Sequence, residues 1–447
     1  MGKLLNKKLI FPALIFIIIL INSLVFLPKY GSWGEATDVE YKIIAENMFN
    51  GHGFSLNGQK TMFREPAYPF FLFTIYKIFG VNFNAIRIIQ FILLFAVIYF
   101  SYKLSLKLFG ALSARITVLA ISILPIFGLY ATDLISEIFA SFLVIIFMLF
   151  FIKSIEEREN GSYFSAIAGL FLGVLILTKS VFTLLPIFII PIYFLMKSRK
   201  SAKKAFFFGI VLLAIVSPWA YRNHLNFDKF AIADRGGMLL YLHAVKSGPD
   251  YKQLANYSVA ATTGEYFVRL RDPSFNMIKG EGIDLMNKKI RELLDKGYNF
   301  PDADKIMARE AKKLFFEKPI KNIFIGFLEV IKLNAPLMPT KRSVMFSFSN
   351  QINNTPIKKF LIGAAIIIIR IIWLTVVFLT MYGSYMAIKR KNNLTIPIIV
   401  FIAYLNGVIF FLQGEPRTVF PLYSLYYILF SFGLLSLIEK FVKRKNI

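Results

Sequence analysis

"KKLIFPALIFIIILINSLVFLPKYGSWGEATDVEYKIIAENMFNGHGFSLNGQKTMFREPAYPFF", Lys7 to Phe71, joins a long apolar run to a stretch dense in acids, arginine and aromatics. The run from Leu9 to Leu27 follows Lys3, Lys7 and Lys8, and "INSLVFLPKY" offers no small-x-small cleavage site. It therefore reads as an uncleaved first membrane span rather than a signal peptide. Composition extends that reading to the whole chain. Of 447 residues, 57% are hydrophobic and 49 are Phe, with a mean hydropathy of +0.61, whereas soluble globular chains are about 45–50% apolar.

A hydrocarbon core about 30 Å thick needs roughly 20 apolar residues per helix. On that measure further spans fall near 84–102, 115–131, 134–152, 162–179, 181–196, 205–221, 371–388, 395–412 and 419–439, ten in all with the first. The expected fold is an all-α polytopic membrane protein. The net charge of +26 resides in short basic stretches between apolar runs, where such residues set topology and meet anionic lipid. That distribution argues against nucleic acid as a partner and for membrane lipids. With the N-terminus cytoplasmic, Lys103 with Lys107, "KSIEERE", "KSRKSAKK", "KRKNN" and the tail "KFVKRKNI" all fall inside, so both termini are expected there.

The same parity gathers five polar features on the outer face: the opening stretch, "ATDLISE", "LTKS" around Lys179, "SPWAYRNH" with the long segment after it, and "QGEPRTVFP". The chain divides into an N-terminal module of seven spans (1–221) with a first outer loop at 29–83, an extracytoplasmic segment with amphipathic helices (222–358), and a C-terminal module of three spans (359–447). There is no cysteine, so disulfides and thiolate metal sites are excluded. His52, His224 and His243 lie far apart in sequence, which argues against a His-rich metal site.

Within the opening stretch, Thr37-Asp38-Val39-Glu40 matches a capping box, in which Glu40 reaches back to the Thr37 N–H. The helix it starts should run to about Asn50 and end at Gly51-His52-Gly53. Asp38 falls beside Tyr41, Ala45, Met48 and Phe49 at the margin of the apolar face, toward protein or membrane. Two readings of Asp38 stand: a favourable charge in a first helical turn, worth about 0.3–1 kcal/mol, or a functional carboxylate. In "FREPAYPFF", Arg64 and Glu65 precede Pro66, which suits the first position of a new helix over 66–79. Farther on, Asp133 and Glu137 are four apart on one helical face, Asp133 as a cap and Glu137 deeper.

An acidic residue after the first span, "Y..IA..M..G.GF" from Tyr41, then "REP.YP" leading to "IYKIFG", resembles the first outer loop of the GT-C superfamily of glycosyltransferases that use polyprenyl-phosphate sugars. Bacterial relatives of protein O-mannosyltransferases and of lipid A aminoarabinose transferases resemble it most. "SEIFASF", "SPWAYRNH" and "GEPRTVFPLY" agree, so the likeness runs from about residue 9 to 439. The chain departs in having Asp38-Val39 where protein mannosyltransferases carry an Asp-Glu pair, and no acceptor-binding domain can be matched.

The resemblance implies a GT-C-like bundle of about ten transmembrane helices in a bacterial cytoplasmic membrane, with an outward-facing site and a polyprenyl-phosphate-linked sugar as donor. It implies Asp38 as the general base that takes the acceptor's proton, with inversion. Arg64, Arg222 and Arg417, with Lys179 behind them, would bind the donor phosphate and its growing charge. Arg370 is expected at the outer interface facing the donor, because a helix from 359 to 388 exceeds the bilayer and the span should start near 371. Each cation has a second reading, snorkelling to lipid phosphate. Glu65, Glu137, Asp133, Tyr41 and Glu415 are the expected supporting residues. No cofactor is implied, and the lack of a clear outer carboxylate cluster favours a metal-independent reaction. The acceptor, a hydroxyl or amine on protein, lipid or glycan, is left open. A lipid-linked glycan flippase or transporter, and a polyprenyl-linked glycan polymerase or ligase, are the alternatives.

Overall fold

The computed structural model of the chain describes residues 15, 17–21, 39–197, 200–246, 251–273, 275, 282–335 and 356–445. Apart from a short antiparallel hairpin, β1 (Ser55–Leu56) with β2 (Gln59–Lys60), every regular element among the described residues is a helix. Two helices flank that hairpin, α1 (Val39–Phe49) and α2 (Ala67–Phe79). The bundle then runs through α3 (Phe83–Phe109), α4 (Ala111–Ile123), α5 (Pro125–Thr132), α6 (Glu137–Glu156), α7 (Gly161–Thr178), α8 (Leu185–Ile189), α9 (Ile192–Leu195) and α10 (Ser201–Phe227). The next group is α11 (Gly236–Val245), α12 (Tyr251–Thr263), α13 (Glu265–Arg271), α14 (Ile283–Asp295), α15 (Phe300–Glu317) and α16 (Pro319–Leu333). The chain returns to the bundle with α17 (Pro356–Lys389), α18 (Ile396–Ile409), α19 (Pro416–Val419) and α20 (Tyr423–Lys445).

Among the described residues, six helices are long and apolar enough to cross a bilayer: Phe83–Phe109, Glu137–Glu156, Gly161–Thr178, Ser201–Phe227, Phe360–Lys389 and Pro416–Val442. The segment expected as one span at 115–131 is a pair, α4 and α5, bent by 58°. The cause is Pro125, which holds Leu124 extended (φ −75°, ψ 115°) and removes a helical N–H. Likewise the stretch expected at 181–196 is a 3-10 turn followed by α8 and α9, interrupted just before Pro186, which sits in the first turn of α8, and at Pro191. The run at 395–412 is a shorter apolar helix. The first expected span, 9–27, lies largely outside the described residues. Conversely, α17 is one continuous helix of 34 residues from Pro356, so Arg370 sits in mid-helix rather than at a span start. At the other module edge, α10 continues past Arg222 to Phe227.

Helix α6 is apolar on every side, the pattern of a helix buried all round, and Leu143 to Met148 are all buried or nearly so. It forms the centre of the bundle. On one flank α17 and α20 approach closely: a Cβ on Gly383 would lie 2.1 Å from the Leu429 carbonyl oxygen, and one on Gly433 2.1 Å from that of Leu379. Small residues allow this contact, as in other membrane helix pairs. Hydroxyls supply the polar adhesion. Ser113 meets Ser431 at 2.6 Å, and Thr117 donates to Ser431 at 3.0 Å and meets Ser105 at 3.1 Å, joining α3, α4 and α20.

The two ends of the bundle differ. At one, Lys107 pairs with Glu156 at 2.5 Å, Lys204 donates to the Glu157 carbonyl at 2.9 Å, and Asn392 donates to the Leu108 carbonyl at 3.1 Å. Those contacts gather the basic loops that hydropathy had put on one side. At the opposite end lie the turn after α5, the start of α6, the end of α7 and the start of α19. There the helices of the segment between α10 and α17 also dock. Within that segment Met238, Leu293, Ala303 and Met307 form a small core. Lys229 bridges two buried carboxylates, Asp234 and Asp304, the second at 2.8 Å. Burial, together with the charge of Asp304, pushes the Asp234 carboxyl up to about 7 despite Lys229. The Asp234 N–H in turn donates to the Met62 carbonyl at 3.0 Å, fastening this segment to the loop before α2.

Candidate active site

Glu137 opens α6 and its side chain is fully buried (0% exposed). One carboxylate oxygen, Oε1, accepts from both Lys179 Nζ and Arg417 Nε, each at 3.1 Å. Lys179 ends α7 in an extended conformation, and Pro416 starts the short α19 that presents Arg417. Three segments remote in sequence thus meet at one carboxylate. Two cations against one anion leave the group a net positive charge, and among the described residues no hydrogen bond reaches Glu137 Oε2.

The loop before α2 supplies the second half. Arg64 is buried, donates to Glu40 Oε2 at 3.1 Å, and lies over the rings of Tyr41 (4.9 Å) and Phe63 (5.6 Å), contacts that hold a guanidinium by charge and by π-face attraction. Its neighbour Glu65 accepts from the Ser180 hydroxyl at 2.7 Å and the Ser180 N–H at 3.2 Å, with Tyr41 donating at 3.4 Å. Burial alone would push the Glu65 carboxyl up. The bonds from Ser180 and the charge of Arg64 outweigh it, so Glu65 lies below the ordinary carboxylate value and is ionised. The Lys179-Ser180 dipeptide therefore joins both halves: Lys179 holds Glu137 and Ser180 holds Glu65.

Behind them the turn carrying Asp133 is fixed by α3. Gln90 Nε2 donates to the Asp133 carbonyl at 2.7 Å and to that of Ala131 at 3.1 Å, while its oxygen accepts from Tyr68 at 2.8 Å. Asp133 Oδ1 accepts from the Leu134 N–H at 3.0 Å, inside the turn between α5 and α6, whereas the N-cap position of α6 is Ser136. Glu415 is exposed at the N-cap of α19.

Of the expected residues, the structure brings together Arg64, Glu65 and Tyr41, and Glu137, Lys179 and Arg417, through the Lys179-Ser180 link. Asp38 and Thr37 lie outside the described residues, immediately before α1. The expected capping partner of Glu40, Thr37, lies outside the described residues, and the Glu40 carboxylate engages Arg64 across 24 residues of sequence. Two arginines also differ from expectation. Arg222 donates to the Thr61 carbonyl and Asn223 Oδ1 at 2.7 Å and to the Phe54 carbonyl at 3.3 Å, stacked on Trp219; its donors anchor the hairpin loop. Arg370 donates to the carbonyls of Ala261, at 3.1 Å, and Thr262. These are among the unpaired carbonyls at the C-terminus of α12, so Arg370 fastens the outer helices to α17. Sequence reasoning missed Ser180 and Gln90. A lone amide inside the apolar "RIIQFILL" was a usable signal, since buried amides in spans require partners, whereas nothing local marks Ser180. Among the described residues no three His, Asp or Glu side chains cluster as metal ligands would.

A helical membrane bundle with a centre of paired cations and carboxylates at one end defines the class. The comparisons make it more particular. The sequence model of a family described as dolichyl-phosphate-mannose-protein mannosyltransferase matches residues 64–221, from Arg64 to the end of the seventh expected span. Among solved structures, the chain is similar to the apo oligosaccharyltransferase of Archaeoglobus fulgidus, at 14% identity and a TM-score of 0.50, covering 97% of this chain and 51% of that one. It also matches the A. fulgidus oligosaccharyltransferase AglB in complex with an inhibitory peptide and a dolichol-phosphate (13% identity, TM-score 0.49, 97% and 51% covered). A further match is ArnT from Cupriavidus metallidurans bound to undecaprenyl phosphate (14%, 0.40, 96% and 78% covered). The chain spans about half the length of the oligosaccharyltransferases it matches. No curated protein matches it in sequence. The fold is thus the one shared with the oligosaccharyltransferase, as the resemblance in the first outer loop had implied.

Proposed function

We propose that this protein is a glycosyltransferase that moves a sugar from a polyprenyl-phosphate carrier to a hydroxyl or amine of an acceptor. The reaction takes place on the outer face of a bacterial cytoplasmic membrane. The observation that carries this reading is the centre built from Glu137, Lys179 and Arg417 and linked through Ser180 to Glu65 and Arg64. It sets three cations, Lys179, Arg417 and Arg64, beside apolar helices, with a net positive charge on the Glu137–Lys179–Arg417 group, suited to a single phosphate on a lipid. The family that matches residues 64–221 is named for a dolichyl-phosphate sugar donor, which agrees with that chemistry. Nucleotide sugars are absent outside the membrane, so a donor carried across on lipid fits an outward site.

In the reaction, the acceptor oxygen or nitrogen attacks the anomeric carbon while the bond from that carbon to the phosphate oxygen breaks. The sugar inverts, the acceptor's proton goes to Asp38, and the polyprenyl phosphate leaves with the bonding pair. Arg417 and Arg64 neutralise the charge that grows on the departing oxygen, where a low-dielectric site makes each donor count for more. Lys179 and Glu137 set the orientation of Arg417, and Glu65 fixes the loop that carries Arg64. The clustering of these groups at one end of the bundle, not at its middle, favours transfer over carriage of the whole lipid, for which mid-membrane ionisable groups are the usual device.

The test is an assay in proteoliposomes with a polyprenyl-phosphate sugar labelled in the sugar. Transfer predicts label on the acceptor fraction and unlabelled polyprenyl phosphate left behind in equal amount. Movement of intact labelled lipid between leaflets, with no label on any acceptor, would establish the flippase reading instead.

A further inference from the structure

A further buried carboxylate, Glu329 on α16, lies outside this centre. Its side chain is fully buried (0% exposed), and its two oxygens take three donors, each at 2.6 Å: Lys246 Nζ and the Tyr257 hydroxyl on Oε1, and the Gly414 backbone N–H on Oε2. Burial alone would push the Glu329 carboxyl up, but the charges of Lys246 and Lys332 and these bonds bring it below the ordinary value. The donors come from the residue after α11, from α12, and from the turn that leads into α19. That turn also lies directly on α16, because a Cβ on Gly414 would fall 2.0 Å from the Glu329 carbonyl oxygen. His243 adds a second tie, its Nδ1 3.1 Å from the Leu412 carbonyl oxygen and its Nε2 3.3 Å from that of Asn322.

From Gly414 the chain has little freedom before it reaches the centre. Glu415 is extended (φ −118°, ψ 130°), Pro416 has its φ locked by the ring, and the next residue is Arg417, whose Nε meets Glu137 at 3.1 Å. A shift of the Gly414 backbone therefore moves Arg417.

We propose that Glu329 is a positioning residue for Arg417, through which the extracytoplasmic helices α11, α12 and α16 set the geometry of the donor site. The proposal rests on the reading of Arg417 as a phosphate-binding residue. It gives the outer segment a route to the reaction: an acceptor that engages these helices bears on the same hydrogen bond that places Arg417. The Lys246–Glu329 pair is then a coupling element, more than a filler of the interface.

The experiment uses the full chain in detergent and undecaprenyl phosphate as the probe. Removing Glu329 alone would strand the buried Lys246, so the variant is Lys246→Met/Glu329→Leu, with Lys246→Met/Glu329→Gln as the conservative partner that keeps an oxygen for the Gly414 N–H. The Leu form should bind undecaprenyl phosphate about tenfold more weakly, the scale of one charge-assisted hydrogen bond, and the Gln form should recover most of that loss. Adding Arg417→Ala to the Leu form should weaken binding no further than Arg417→Ala alone. Hydrogen exchange of peptides covering 410–419 should rise in the Leu form and return toward normal in the Gln form. Losses that multiply in the combined variant, or exchange that stays at the wild-type level, would overturn the proposal. If Arg417→Ala itself leaves the affinity unchanged, the phosphate role of Arg417 falls, and the exchange measurement alone then decides whether Glu329 places the turn.

Discussion

Replacing Glu137 by Gln gives a result that a purely structural ion cluster would not. Glu137 Oε1 stands 3.1 Å from both Lys179 Nζ and Arg417 Nε. A donor phosphate held at similar range on the far side of the same cations would lie about 6 Å from that carboxylate. At an effective dielectric near 20, two like charges so placed repel by about 3 kcal/mol. Gln removes the repulsion yet keeps an oxygen that accepts from Arg417, so undecaprenyl phosphate should bind more tightly. If half of the repulsion survives relaxation and solvent, the gain is about tenfold. Breaking a buried pair by removing one partner costs about 3–5 kcal/mol. Here the retained acceptor and the partial exposure of Lys179 (15%) and Arg417 (25%) reduce that cost, so a folded protein of lower thermal stability is expected. Turnover at saturating donor should fall, because the phosphate product leaves more slowly. The assay pairs equilibrium binding of undecaprenyl phosphate in detergent with the steady-state transfer rate. Affinity that is unchanged or weaker in Glu137→Gln would refute the reasoning and return Lys179 and Arg417 to the role of counter-ions for a buried acid.

The two groups of arginines should separate in the same binding assay. Arg417→Ala and Arg64→Ala should weaken undecaprenyl phosphate binding, with Lys restoring only part because it lacks the planar fork. Arg370→Ala should lower stability and leave affinity intact, and a loss of affinity there as large as in Arg417→Ala would contradict its role as a tie to α12. The Asp234 carboxyl titrates near 7 when folded, well above its unfolded value near 3.8. The folded state holds a proton there that the unfolded state has released, so stability should fall as pH rises from about 4 to 7, by at most about 1.4 kcal/mol per pH unit. Unfolding of Asp234→Asn, followed across that range, should show a flatter profile; an unchanged slope would remove Asp234 as its source. For topology, cysteines at the exposed positions Lys296 and Glu159 should react with an impermeant thiol reagent from opposite sides of the membrane, and labelling of both from one side would refute the outward placement of the site.

Much of this architecture was legible before any coordinates. Hydrophobic runs and basic loops sufficed to sort Lys107, Lys204 and Arg390 to one end and Arg64, Lys179 and Arg417 to the other, because span length and charge asymmetry act locally and additively along the chain. The helix over 66–79 was equally readable, since proline acts through its own φ and missing N–H. What could not be read was pairing. Whether an arginine at a span end meets a carboxylate or a carbonyl depends on contacts across hundreds of residues: Arg417 finds Glu137, while Arg222 is consumed by Thr61 and Phe54 and Arg370 by Ala261 and Thr262. Glu40 shows the same limit, as its spacing from Thr37 fits a capping box yet its carboxylate reaches Arg64. Span integrity was a further gap. The breaks at Pro125, Pro186 and Pro191 were present in the sequence, but average hydropathy over a window of bilayer length ignores a single missing hydrogen bond.

The central claim is that a lipid phosphate leaves as Asp38 takes the acceptor's proton. The most direct test is single-turnover release of polyprenyl phosphate from bound donor, measured in wild type, Asp38→Asn and Glu40→Gln, with thermal stability and donor affinity determined for each. Asp38→Asn should fold and bind donor normally but release polyprenyl phosphate slower by roughly 10²-fold or more, the scale of a lost general base. Glu40→Gln, which loosens Arg64 without removing the base, should be affected far less and chiefly in donor affinity. Near-normal release from Asp38→Asn, beside a folded but inactive Glu40→Gln, would contradict the account and transfer the catalytic role to Glu40.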